Sequence, residues 1–244
     1  MPLTVCIGHG VPKGLEVPGK KIAWLLESPA ISQMQGLYDL VRQNLDQVLD
    51  AYELVLSPDR EFCKLDPKIR YHQAGSNLPW MTEDKYRIYP KTKLCSMIAS
   101  AKQMVEGHRI RLEYAEKLKD RLDLYGGAWG SPKVTSEEYI LDKSDGLAPY
   151  MFSVTMENCR VSLYYTEKIT DCFVTGTVPI YWGSDDVGEI FDEKGIIRLD
   201  DDFDVATLSP DLYAGMMPHI RNNFEIASSL EGSDDLLFDK YIRS

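Results

Sequence analysis

The stretch from Tyr150 to Gly183, YMFSVTMENCRVSLYYTEKITDCFVTGTVPIYWG, constrains the fold more than any other part of this chain. Phe152, Val154 and Met156 alternate along Tyr150–Met156 with the period of a strand, and Glu157-Asn158 ends it. Ile169, Cys172 and Phe173 then recur at helical spacing, which predicts a helix starting near Thr166, a residue type suited to N-capping. Gly176 supplies a stop, and Val178 to Trp182 reads as a second strand closed by Gly183. Strand, loop, helix and strand in that order make a βαβ unit. Glu167 and Lys168 fall in the first turn of the helix, just past the carboxyl end of the first strand. Open α/β sheets bind ligands in that crevice, and free amides at a helix start favour phosphate. A lysine beside such amides suits a diphosphate, and a carboxylate can accept two hydrogen bonds from a ribose diol. Both residues also fit a plain surface, since the helix dipole favours an acid in the first turn and lysine is readily solvated. The stretch reads as a sugar-nucleotide pocket.

Length sets the scale around it. With 244 residues, 44% of them hydrophobic, the chain can build one large domain or two small ones. A net charge of −11 argues against a nucleic-acid backbone or an anionic membrane surface as the main partner. It leaves room for an anionic nucleotide held by a local cluster of Arg and Lys. The five cysteines, at positions 6, 63, 95, 159 and 172, have no CxxC spacing and suit reduced, buried thiols. The opening MPLTVCIGHGVPKG carries no charged leader or long apolar run, and no later segment is apolar enough for a transmembrane span. A soluble cytoplasmic protein is expected. Four scattered histidines and the Asp200–Asp204 run lack metal-ligand spacing, so no metal site is expected.

Taken in order, the chain predicts strands at Thr4–Ile7 and Ile22–Leu26, a helix over 32–50, and strands near 52–56 and 69–72. These form a small α/β domain over residues 1–90. A second α/β domain, 91–244, opens with a strand at 93–100, a helix over 107–122 and a strand at 122–125. Residues 135–148 read as mixed helix and loop before the organising stretch. Ser209-Pro210 starts a further helix, Pro218 breaks or restarts it, and Ser233 caps a last one reaching Ile242.

Six residues stand out for chemistry. Glu27 ends a strand in WLLESP, where a carboxylate can take the proton of an attacking hydroxyl; a surface carboxylate fits the same place. Arg111 lies on an apolar stripe with Tyr114, Ala115 and Leu118, at its amino-terminal end. An unpaired buried charge is costly, which points to phosphate; a snorkelling arginine covering a core edge is the other reading. Glu167 and Lys168 are placed at ribose and diphosphate. Asn158 and Tyr164 are expected to line the sugar and phosphate portion, and Tyr164 equally suits a core aromatic.

Glu157-Asn158, Tyr164-Tyr165-Thr166-Glu167-Lys168 and Val178-Pro179-Ile180-Tyr181-Trp182-Gly183 together resemble the donor-binding signature of the α-1,3-fucosyltransferase family. The chain departs from the family's usual pattern at Tyr165, where a single hydrophobic residue is usual, and at Ser184-Asp185-Asp186, where Ser-Pro is frequent. Trp24-Leu25-Leu26-Glu27-Ser28-Pro29 matches the family's acceptor-domain motif, and Gly107-His108 before Arg111 is similar to its glycine-histidine pair before an arginine, with Arg109 as the neighbouring candidate. The resemblance implies an α/β protein of GT-B type, two Rossmann-like domains facing across a cleft, with the amino-terminal domain reduced. It implies inverting transfer of fucose from GDP-fucose to a hydroxyl of an oligosaccharide or glycoconjugate acceptor, with no cofactor and no divalent metal, in an enzyme of the soluble bacterial or viral type. Glu27 would be the base, Arg111 would neutralise the departing diphosphate, and Asn158, Tyr164, Glu167 and Lys168 would hold the donor. Two alternatives stay open: a transferase of the same architecture using another nucleotide sugar, and a catalytically silent sugar-nucleotide-binding protein.

Overall fold

The computed structural model describes residues 3–126 and 142–243. The chain forms two compact units. The first comprises Met1–Asn77, Val161–Tyr164 and Glu231–Ser244; the second comprises Leu78–Arg160 and Tyr165–Leu230. These units differ from the domains expected at 1–90 and 91–244, because two later segments pack with the amino-terminal sheet.

The first unit is built on a parallel sheet of strands β1 (Thr4–Ile7), β2 (Lys21–Trp24), β3 (Leu54–Ser57) and β4 (Ile69–Tyr71), in the order β1-β2-β3-β4. Helices α1 (Val11–Gly14), α2 (Ser32–Gln43), α3 (Leu45–Ala51) and α4 (Arg60–Cys63) connect them. The single helix predicted over 32–50 is two, because Asn44 leaves helical geometry at φ −120°, ψ 34°. Its side-chain amide donates to Leu40 O at 2.9 Å, the local competition with the helical ladder that asparagine favours. Alternation sorts the sheet's side chains to two faces. Ala23 and Val55 pack with Leu37, Tyr38, Val41 and Phe62; Ile22, Trp24, Leu54 and Leu56 pack with Leu237. Leu237 belongs to the short last α-helix of Ser233–Leu237, which a π-helical turn, Phe238–Ile242, continues. Gly232, not Ser233, holds its N-cap position; the Ser233 N–H donates to Asn77 Oδ1 at 3.1 Å instead.

The second unit has strands β5 (Lys93–Ala99), β6 (Asp123–Gly126), β7 (Tyr150–Met156), β8 (Val178–Trp182) and β9 (Ile197–Arg198), all parallel, in the order β6-β5-β7-β8-β9. Helix α5 (Glu106–Leu118) follows β5 and α6 (Glu167–Val174) links β7 to β8; α7 (Pro210–Gly215), α8 (Met217–Ser228) and, back in the first unit, α9 (Ser233–Leu237) come after the sheet. Ser209 caps α7 through Leu212 N, and Pro218 sits in the first turn of α8, the restart read from the sequence. One sheet face packs Met97, Phe152, Val154 and Ile180 against Ala115, Leu118, Tyr213 and Ile220; the other packs Tyr181 with Ile169, Phe173, Val174 and Ala227. Both faces are therefore covered, as parallel sheets require.

The strand order decides where a ligand can bind. The chain leaves β5 to one side for β6 and returns to the other side for β7, so the sheet has a topological switch point between β5 and β7. Loops diverge there at the carboxyl strand ends and open a crevice. Ser100, after β5, and Glu157-Asn158, after β7, line that end of the sheet. All five cysteines are free thiols, four of them buried.

Candidate functional site

Thr166 opens α6 as its N-cap, its hydroxyl accepting from Lys168 N at 3.4 Å. Glu157 holds the cap in place: its carboxylate, with no exposed surface, accepts Thr166 N–H at 2.9 Å and Thr166 Oγ1–H at 2.7 Å. The end of β7 is thus tied to the start of α6 through a buried acid. Burial raises the Glu157 pKa above the ordinary carboxylate value, while Lys168 and the two Thr166 donors work the other way. Gly176 ends α6 at φ +68°, a left-handed geometry that favours glycine.

Lys168 Nζ donates to Thr166 Oγ1 at 2.9 Å and lies 3.5 Å from Glu157 and 3.4 Å from Glu167. Burial disfavours its charge, but the two carboxylates outweigh that and raise its pKa. Glu167, the expected ribose acceptor, is buried in the same turn.

Helix α5 approaches from the β5 side. A Cβ on Gly107 would stand 2.5 Å from Glu157 O and 2.6 Å from Asn158 O, so only glycine lets the helix start reach the loop after β7. The contact is closed by Gly107 N–H donating to Asn158 O at 3.3 Å. One residue on, His108 Nδ1 accepts Met104 N–H at 3.2 Å, which places the ring proton on Nε2, 3.0 Å from Asn158 Oδ1. Asn158 Oδ1 is thereby engaged, and its side-chain N–H₂ remains as a donor for a ligand. Burial, with Arg111, Lys102 and Lys168 adding to it, pushes the His108 pKa down to about 4, so the ring is neutral at physiological pH.

Arg111 is 6% exposed. It lies in the second turn of α5, where its side chain runs back toward the helix start and donates from Nη2 to Ser100 O at 3.1 Å and Ser100 Oγ at 2.8 Å. Its buried Nε has no hydrogen-bond partner, and no carboxylate pairs with it, among the described residues. Burial lowers its pKa to about 10, which still leaves it protonated. A buried guanidinium lacking an anion is costly, and an anion at the switch point would relieve that cost. Neighbouring Arg109 is exposed.

In this unit, then, the structure brings Arg111, Asn158, Glu167 and Lys168 to one end of the sheet. Tyr164, expected either at the donor or as a core aromatic, is buried. It belongs to the first unit, where its buried hydroxyl donates to Glu27 Oε2 at 3.1 Å; Ser76 Oγ donates to Glu27 Oε1 at 3.3 Å. Leu163, just before it, has a left-handed φ of 54°, unusual for a side chain branched beyond glycine, and its carbonyl accepts the Tyr71 hydroxyl at 3.2 Å. Sequence reading gave Glu157 no role as a buried support and did not single out Ser100; His108 entered only as part of the Gly107-His108 pair. Glu157 was visible only as part of the Glu157-Asn158 pair in the donor-binding signature, and no signal marked Ser100.

Two parallel α/β sheets, the second with a polar, cation-bearing switch point, define a fold of the GT-B type. Residues 88–214 match the model of glycosyltransferase family 10 (fucosyltransferase), C-terminal part, and the chain belongs to that family. It is 34% identical to the α-(1,3)-fucosyltransferase FucT of Helicobacter pylori over 99 residues, a match covering 40% of this chain and 20% of that enzyme. The fold is similar to a crystal structure of α1,3-fucosyltransferase with GDP, at 17% identity and a TM-score of 0.53, covering 93% of this chain and 69% of the other. It is also similar to α1,3-fucosyltransferase with GDP-fucose, at 16% identity and a TM-score of 0.50, covering 89% and 68%.

Proposed function

We propose that this protein binds GDP-fucose at the β5/β7 switch point and transfers the fucose, with inversion, to a hydroxyl of a carbohydrate acceptor. The observation that carries the proposal is Arg111: a buried cation without a carboxylate, beside Lys168 and a neutral His108, in the segment that matches the fucosyltransferase family. Diphosphate charge grows as the sugar leaves, and fixed cations in a poorly solvated crevice stabilise that charge more than bulk water does. Lys168 and Arg111 fill that role, Asn158 donates its amide to the same group, and Glu167 accepts from the ribose hydroxyls. GDP as the nucleotide is supported by the structures of α1,3-fucosyltransferase with GDP and with GDP-fucose.

Attack by a sugar hydroxyl needs a base as the new bond forms. Glu27, held by two hydroxyl donors, takes that proton. No metal step is invoked, since the leaving charge is met by side-chain cations and amides. The acceptor is a glycan. Among the described residues no helix is long and apolar enough to cross a membrane, and the free thiols suit a reducing compartment, so the cytoplasm is the proposed location.

The experiment is GDP release from GDP-fucose with a panel of oligosaccharide acceptors, run beside Glu27→Gln. Acceptor-dependent release that falls in the variant by about 10²–10⁴, the usual span for a general base, supports the proposal. Nucleotide binding without release for any acceptor would leave a binding protein and end the transferase reading.

A further inference from the structure

Glu167 shares one face of α6 with Asp171, four residues further along. Asp171 is fully buried, and its carboxylate is satisfied from another part of the chain: Oδ1 accepts Trp80 N–H at 2.9 Å and Met81 N–H at 3.2 Å, and Oδ2 accepts Lys143 Nζ at 2.5 Å. Lys143 comes from a 3₁₀ turn, Lys143–Gly146, capped by Asp142 and tethered by the Lys85–Asp142 ion pair. Its ammonium also lies 5.1 Å from the centre of the Trp80 ring and 3.8 Å from Glu167 Oε1. Three groups from two other chain segments, Asp171 and Glu167 on α6 and the Trp80 ring, therefore meet around one lysine that is 25% exposed.

The two distances matter. At 2.5 Å Lys143 is bound by Asp171; at 3.8 Å it balances the charge of Glu167 without occupying a lone pair. Lys168 approaches Glu167 through the same oxygen, Oε1, at 3.4 Å. Two cations on one side of a carboxylate orient it and leave the other oxygen, Oε2, for a ligand. Without Lys143, two like charges at i and i+4 would repel along the helix and Glu167 would swing toward Lys168.

We infer that Lys143, anchored by Asp171, is a positioning residue that aims Glu167 at the ribose diol of the donor nucleotide. This rests on the donor-binding reading of Glu167 given above. Lys143 itself touches neither the diol nor the reacting atoms.

The test compares calorimetric affinities for GDP and for 2′,3′-dideoxy-GDP, which lacks both hydroxyls, in the wild type, Lys143→Met and Lys143→Arg. The wild type is expected to prefer GDP by at least about tenfold, the worth of a hydrogen bond to a charged group. Lys143→Met should lose most of that preference, through a fall of about tenfold for GDP and less than about twofold for the dideoxy compound. Lys143→Arg should restore it. Equal weakening of both nucleotides by Lys143→Met would show a general electrostatic or structural role and overturn the inference, as would an unchanged preference. If Lys143→Met fails to fold because Asp171 is left unpaired, Asp171→Asn keeps the acceptor for Trp80 and Met81 but releases Lys143 from its anchor to pair with Glu167 directly; it should likewise lose most of the preference for GDP over the dideoxy compound, and an unchanged preference would overturn the inference. A wild type that binds GDP without preferring it over the dideoxy compound would overturn the placement of ribose at Glu167, and one that binds neither would overturn the donor site as a whole. Both are distinct from a failure confined to Lys143.

Discussion

Tyr164 donates its hydroxyl proton to Glu27 Oε2 at 3.1 Å. From the sequence Tyr164 suits either the sugar and phosphate of the donor or a core aromatic; its side chain is buried and its hydroxyl is bonded to the proposed base. A left-handed Leu163 precedes it, a conformation that costs roughly 1–2 kcal/mol in a residue other than glycine and that the Tyr71–Leu163 hydrogen bond helps to hold. With Ser76 on the other oxygen, the carboxylate of Glu27 has a fixed orientation.

Tyr164→Phe removes one hydroxyl and little else. A hydrogen bond to a charged group contributes about 1.5–3 kcal/mol, so turnover should fall by about 10–100-fold while calorimetric GDP affinity stays within about twofold. Loss of GDP affinity with turnover intact would return Tyr164 to the donor site.

His108 makes stability depend on pH. Its folded pKa, about 4, is below the ordinary 6.5, so between those values the unfolded chain binds the extra proton. Stability contributed by the neutral ring is complete above pH 6.5 and is lost as pH falls toward 4, at ~1.4 kcal/mol per unit, or about 3 kcal/mol in all. Urea unfolding at pH 7 and pH 4.5 should show the loss in the wild type. His108→Gln, which does not titrate, should be less stable at pH 7 and should show a shallower decline; equal slopes would remove His108 as the cause.

Gly107→Ala pushes a methyl into two backbone carbonyls, which cannot yield as a flexible side chain would. Overpacking of this kind costs about 1–3 kcal/mol, and the strain falls on Asn158 and the start of α5. Thermal melting should drop, and GDP affinity should drop with it. A variant that melts and binds like the wild type would show that the close approach is not required.

Local signals carried a good part of this site. Strand β7, the Thr166 cap, Gly176 as helix stop and strand β8 follow from alternation, one capping hydroxyl and one left-handed glycine, all settled within a few residues of each other. Arg111 stood out because a charge on an apolar stripe contradicts its surroundings. What could not be read is what depends on distant pairing. The switch point exists because β5 pairs with both β6 and β7, and no spacing in the chain encodes that order. Tyr164 and Glu27 are 137 residues apart, and Lys143 sits in a polar stretch that gives no sign of Asp171. The break at Asn44 was hidden because hydrophobic periodicity runs through it; the backbone leaves helical geometry there while Leu40 O accepts both the Asn44 N–H and its side-chain amide.

The central claim is that the β5/β7 end of the second unit binds a nucleoside diphosphate through Arg111 and Lys168. Its most direct test is titration calorimetry of GDP with the wild type, Arg111→Met and Lys168→Met, each checked for folding by thermal melting. Wild-type binding that weakens by about 1.5–3 kcal/mol in each variant, the scale of a charged hydrogen bond, is the predicted result. Unchanged GDP affinity in both folded variants would contradict the account and move the nucleotide away from this site.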